Sequence, residues 1–175
     1  MSKINHSRPH LRFIDNLRRE LAREASESPL LSDHAQGQQH RETSNAASGM
    51  PRLGLRAAKI AISLLDLLAR YYDNQSQLIK SISPEATKSD RKKATMLRAE
   101  KDSLEKQIFE EAMKLLKEAF RKQAAGDSSI AEWVDWLEAK AISTKSYALL
   151  DLFEVGFKPA FEALNKVVSQ KVAGK

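Results

Sequence analysis

The sequence predicts an all-α protein: a bundle of four to five helices built on a long antiparallel helical hairpin, with a flexible N-terminal tail. Three observations carry this. Apolar residues recur at steps of three and four over long stretches, and no segment alternates with period two long enough to suggest a strand. The 6 glycines and 5 prolines are confined to a few breaks, where a many-turned β protein would spread them.

Residues 1–50 differ in composition from 51–175, which divides the chain into a tail and a helical bundle domain. From Ser26 to Gly49 the run SESPLLSDHAQGQQHRETSNAASG contains only Leu30 and Leu31 as large apolar residues. It cannot bury enough surface to offset its ordering entropy, so disorder is expected there. Before it, Leu11, Ile14, Leu17 and Leu21 stand at helical spacing with Arg12, Arg18, Arg19 and Arg23 around the other faces. This predicts a short amphipathic helix near residues 10–24. Marginal alone, it is expected to order on a partner or against the body.

The hairpin follows. Leu53, Ala57, Ile60, Leu64, Leu67, Tyr71 and Leu78 form a heptad seam, widened by Ala61, Ile62, Leu65 and Leu68, which predicts a helix over about 52–82 covered on more than one side. Ser83-Pro84-Glu85 reads as a helix start, with serine at the N-cap and proline at the first position. The second helix then runs from 84 to about 125. Ala94, Leu97, Leu104, Ile108, Leu115 and Ala119 form its buried stripe, and Phe109, Leu116 and Phe120 widen it.

Gly126-Asp127-Ser128 ends that helix, and Ser129 with Glu132 has the pattern of a capping box for the next. Ile130, Trp133, Trp136, Leu137 and Ala141 give it an aromatic-rich face. Ser143 to Ser146 interrupt, Tyr147 to Phe157 is strongly apolar, and Gly156 and Pro159 punctuate again. A last helix carries Phe161, Leu164, Val168 and Val172.

Chemistry is narrowed mostly by exclusion. The chain has no cysteine, which removes disulfides, thiolate metal sites and thiol nucleophiles. All four histidines (His6, His10, His34, His40) fall in the tail, and Pro9 opposes a helix that would set His6 and His10 as an i, i+4 metal clamp. A Ser–His–acid arrangement would need one of those histidines to reach the body. Neither a GxxxxGK nor a GxGxxG phosphate loop occurs. Carboxylates such as Glu110 and Glu111, or Asp135 and Glu138, have the distribution of a solvated helix face. No catalytic residue, cofactor or metal ligand is therefore assigned.

Interaction residues are assigned instead. Leu11, Leu17 and Leu21 offer an apolar face on the N-terminal helix. Trp133 and Trp136, with Tyr147, Phe153, Phe157 and Phe161, form an aromatic set whose ordinary role is core and whose alternative is a ligand-lining box. Residues three apart on a helix diverge by about 60°, so one tryptophan is expected at an interface. Asn74 interrupts the seam. It either pairs across an interface to set register, or its polar neighbours Asp73, Gln75, Ser76 and Gln77 turn that part of the helix outward, the reading they favour.

The net charge of +6 and pI near 9.5 raise nucleic acid as the alternative partner. Lys88, Arg91, Lys92 and Lys93 form the one compact basic cluster and would make the phosphate contacts; elsewhere the two signs interleave, as on a solvated face. No run reaches the ~18–20 apolar residues that span a bilayer, and no secretory signal is seen, so a cytoplasmic location is the default. The plan of a polar, Ser/Gln-rich leader before a helical hairpin resembles substrates of bacterial type III secretion systems, a resemblance that implies signal-independent export. The expected function is non-enzymatic: an interaction or assembly protein (structural subunit, adaptor, chaperone or secreted helical effector) working through coiled-coil-like surfaces by self-association or with a protein partner.

Overall fold

The structure, a computed structural model, describes residues 9–27 and 49–173. Every element among them is helical: α1 (Pro9–Glu27), α2 (Leu55–Ser81), α3 (Lys88–Gln123), α4 (Ser129–Ser143), α5 (Tyr147–Leu152) and α6 (Lys158–Ala173). A π-helical stretch, Phe153–Phe157, joins α5 to α6. The protein is the all-α bundle its periodicity predicts. The polar run of 28–48, with His34 and His40, lies outside the described residues, as does His6.

The two long helices pair in antiparallel fashion. Arg56 faces Glu118, Tyr71 faces Glu105 and Asn74 faces Leu97, so positions rise on α2 as they fall on α3. At 36 residues, α3 is about 54 Å long. The seam is buried as its spacing requires: Leu64 is 0% exposed and Leu67 8%. Ala58, Ala61, Leu65 and Leu68 are fully buried too, so α2 is wrapped on several sides. Its neighbours there are α1, α3 and α5.

The start of α3 differs from the sequence reading. Ser83-Pro84-Glu85 forms a turn, closed by the Ala86 N–H donating to the Ser83 carbonyl at 2.9 Å. The helix begins at Lys88 behind the N-cap Thr87, where a reciprocal box operates. The Asp90 N–H donates to Thr87 Oγ1 (3.2 Å), and the Thr87 N–H donates to Asp90 Oδ2 (2.9 Å). Two otherwise orphaned donors are satisfied there, which proline at 84 cannot match. At the other end Gly126 takes φ +83°, and the Asp127 N–H returns to the Lys122 carbonyl at 2.9 Å.

The next helix start is corrected as well. Ser128 is the N-cap of α4 without a side-chain cap bond, and its hydroxyl donates to Glu132 at 2.7 Å. The Ser129 N–H donates to Asp127 Oδ1 at 3.0 Å. The break expected at Ser143 to Ser146 is present, with Lys145 in the left-handed region at φ 50°.

Gly156 and Pro159 do not break the chain's helical path, contrary to expectation. Between α5 and α6 the backbone widens into π geometry, and the Lys158 N–H bonds the Phe153 carbonyl five residues back. Pro159, which has no N–H to donate, sits just beyond this turn, where the α-helical pattern is already interrupted. Gly156 faces α3 so closely that a side-chain carbon there would lie 3.0 Å from Ile108 Cγ2. The glycine sets how near the C-terminal segment approaches the hairpin.

Helix α1 packs against the body. Ile14, Leu17 and Leu21 are 1%, 3% and 0% exposed and belong to the same core as α2. Two polar contacts set its position: Arg18 Nη1 lies 2.5 Å from Asp66 Oδ1, and Glu24 Oε1 accepts the Leu53 N–H at 2.8 Å, just ahead of α2. Burial pushes the Glu24 carboxyl up from its ordinary value, opposed by the Leu53 N–H and by Arg52.

Candidate functional site

The structure sorts the sequence-assigned residues by burial. Leu17 and Leu21 are spent inside the chain, and Leu11 is half-buried against the same core, so this face of α1 is not an outer surface here. Trp133 is fully buried, whereas Trp136 is half-buried with the Lys140 ammonium 5.9 Å from its ring centroid. The divergence expected of two tryptophans three apart is therefore seen. Lys88, Arg91, Lys92 and Lys93 are all exposed in the first turns of α3.

Asn74 does not turn outward. It is 4% exposed, and its Nδ2 donates to the Leu97 carbonyl and to Glu100 Oε2, each at 3.1 Å. The polar neighbours that suggested an outward turn lie around the rest of the helix, while Asn74 keeps the phase of the seam. It sets register, but between two helices of one chain.

A groove of about 540 Å³ lies between the C-terminal part of α3, α4 and the π-helical segment with the start of α6. Its floor is apolar. Phe157 is 5% exposed, and Phe153 packs beside it with ring centroids 5.3 Å apart and a 39° tilt. Leu116 of α3 and Val134 of α4 close the sides. Two phenylalanines stand at the mouth with large exposed areas: Phe120 at 46% and Phe161 at 50%. The stripe Phe157, Phe161, Leu164, Val168 runs out of the groove along α6, and Val168 is 57% exposed.

The rim is polar and acidic. Asp135 and Glu138 project from α4, and Glu154 from the π-helical segment. Lys158 is the rim's cation, with Nζ 3.1 Å from Glu154 Oε2. The acids that burial raises elsewhere in the molecule, Glu24, Tyr71 and Asp151, line no part of it.

Sequence reasoning assigned Phe153, Phe157 and Phe161 to an aromatic set but not to a groove, and it missed Phe120, Asp135 and Glu138 as partners of that set. Helical phase shows which residues share one face of one helix. The groove is made by three segments meeting, with the π turn re-aiming the last. Among the described residues no group of three or more His, Asp or Glu side chains is placed to hold a metal ion. No helix among them is long and apolar enough to cross a membrane. Comparison with protein-family models, with curated proteins and with solved structures finds no match to this chain.

Proposed function

We propose that this protein is a non-enzymatic interaction module that binds a protein partner through the groove between α3, α4 and α6. The observation that carries this reading is the joint exposure of Phe120 and Phe161 at the mouth of an apolar groove, continued by the uncovered stripe on α6. Phenylalanine exposed singly is ordinary on a protein surface. Two exposed rings facing a shared apolar trough with a polar rim have the anatomy of a binding surface. The hairpin is its rigid support, since Gly156 brings the π-helical wall into direct contact with the fully buried Ile108.

A photo-crosslinking phenylalanine analogue at position 161 tests this in cells that make the protein. A discrete protein adduct is expected at 161, and none from the same analogue at the exposed Lys59. Identical adducts from both positions, or none from 161, would remove the reading. A second reading, binding of nucleic acid, draws on the exposure of Lys88, Arg91 and Lys92, which fall within about 100° of one another on α3.

A further inference from the structure

We infer that the groove takes a basic amphipathic α-helix of a partner protein, with leucine- or phenylalanine-sized residues on one face and lysine or arginine beside them. This rests on the groove being the working surface, and it adds the chemistry of the occupant. The argument is one of shape and charge.

The trough is long and open at one side. The groove is lined as far as Phe161, and from there the apolar stripe continues along α6 to Val168. From Phe157 to Val168 it covers eleven residue steps, about 16 Å of helix rise, which matches an occupant of about three turns. A small apolar ligand of matching volume would normally be enclosed over most of its surface, and half-exposed rings at the mouth do not enclose one. A helix lying in a trough needs only anchors at i, i+3 or i+4 and i+7, and leaves its outer face in water.

Charge then selects among helices. The whole chain carries +6, yet this groove bears Asp135, Glu138 and Glu154 against one lysine that Glu154 already engages. The local sign is opposite to that of the molecule. Asp135 and Glu138 are one turn apart on the same wall, placed to meet cations on successive turns of a bound helix. The same carboxylates repel phosphodiesters and anionic lipid headgroups, so this face is matched to neither nucleic acid nor an anionic membrane.

The probe is a fluorescein-labelled 18-residue peptide with leucine at i, i+4, i+7 and i+11 and lysine and alanine elsewhere. It is compared with the same peptide bearing glutamate for lysine, on the full-length protein. The lysine peptide is expected to bind at least about tenfold more tightly than the glutamate one. Phe161→Ser should weaken it by at least about tenfold, since a central apolar anchor is lost. Asp135→Asn with Glu138→Gln should cut the preference for lysine to within about threefold, with helicity by circular dichroism unchanged.

Equal binding of the two peptides, lost in Phe161→Ser, would overturn the basic-helix inference while leaving the groove as a protein-binding site. Failure of both peptides would overturn it as well, and the crosslink at 161 would then decide the broader reading by itself. Light scattering that shows a dimer of the unmodified protein and a monomer of Phe161→Ser would make a second copy the occupant, and would also overturn it.

Discussion

Asn74 of α2 donates from Nδ2 to the Leu97 carbonyl of α3 at 3.1 Å, about two turns from the closed end of the hairpin. Tyr71, one turn earlier, donates to Glu105 at 3.1 Å and accepts from Gln75 at 2.8 Å. A short polar ladder thus replaces the apolar seam where α2 nears its end. Sliding one helix along the other by a turn would leave Asn74 buried without either of its acceptors. The ladder sets alignment, and the leucines below it supply adhesion.

Asn74→Ala is accordingly expected to cost about 1–3 kcal/mol, the range for losing a buried hydrogen-bonding group. Denaturant melts of the two proteins measure this. A variant as stable as the parent would show that the Asn74 amide contributes no net stability in the folded state.

How much of this was legible in the sequence depends on whether a feature belongs to one helix or to several. The seam through Leu64 and Leu67, the glycine stop at Gly126 and the break before Tyr147 are single-helix properties, set by periodicity and turn chemistry, and they appear where expected. The start of α3 was misplaced because Ser-Pro-Glu and Thr-Lys-Ser-Asp both resemble starts. The second forms a reciprocal box, as the bonds between Thr87 and Asp90 show. Gly156 was read as a break because glycine usually is one, yet its role is contact with Ile108, a residue 48 positions away that no local pattern reveals.

That contact supports a packing prediction. Gly156→Val places methyl groups where even one added carbon meets Ile108 at 3.0 Å, and should cost about 1–3 kcal/mol as overpacking. Ile108→Ala alone leaves a cavity, at about 2–5 kcal/mol. The double variant should lose less than the sum, by about 0.5–3 kcal/mol, because the cavity receives the valine. Simple additivity in chemical melts would mean that the π-helical segment shifts away from α3.

Glu118 gives a pH prediction. It is 5% exposed, with Oε1 2.5 Å from Arg121 Nη2 and Oε2 3.7 Å from Arg56 Nε on α2. The Arg121 hydrogen bond, with help from the charges of Arg56 and Lys122, holds its carboxyl below the ordinary glutamate value. A depressed folded-state acid stabilises the fold above its unfolded pKa of about 4.3, and that contribution is lost as pH falls through the lower folded value. Melts between pH 3 and 7 should therefore show Glu118→Gln less stable than the parent at neutral pH, with the two converging in acid. A constant gap across that range would mean that the charge of Glu118 plays no part.

The helical phase of α2 is tested by two neighbours. Leu64 is 0% exposed, and Leu64→Ala should cost about 2–5 kcal/mol in transfer and cavity terms. Asp66 is half-exposed and meets Arg18 of α1 at 2.5 Å, so Asp66→Ala should cost under about 1 kcal/mol, as surface ion pairs do. Most of that small loss should appear as faster amide exchange in α1, whose position the pair helps to set. Comparable losses at the two positions would refute the assigned phase.

The basic cluster at the start of α3 decides the nucleic-acid reading. Lys88, Arg91 and Lys92 fall on one side of the helix and Lys93 on another, with Asp90 among them, its carboxyl held below the ordinary aspartate value by the Thr87 hydroxyl and N–H with help from Lys93. Three cations on one face can neutralise about three phosphates, and each adds about −0.9 to the slope of log affinity against log salt. A fourfold rise from 50 to 200 mM would then weaken binding by roughly 40-fold. Three contacts are few beside the roughly six to ten of a strong phosphate binder, so at physiological salt the affinity should be no better than the weak end of non-specific binding, about 10⁻⁴ M, below what a titration with micromolar protein detects. Polarisation titrations with labelled 30-nucleotide DNA and RNA should therefore show weak, sequence-indifferent binding at low salt, and none at 150 mM. Changing Arg91, Lys92 and Lys93 to serine should remove the low-salt signal and leave the groove's peptide binding intact, since none of the three lines the groove. Tight binding that persists at 150 mM and is abolished by those changes would move phosphate recognition ahead of the groove as the protein's function.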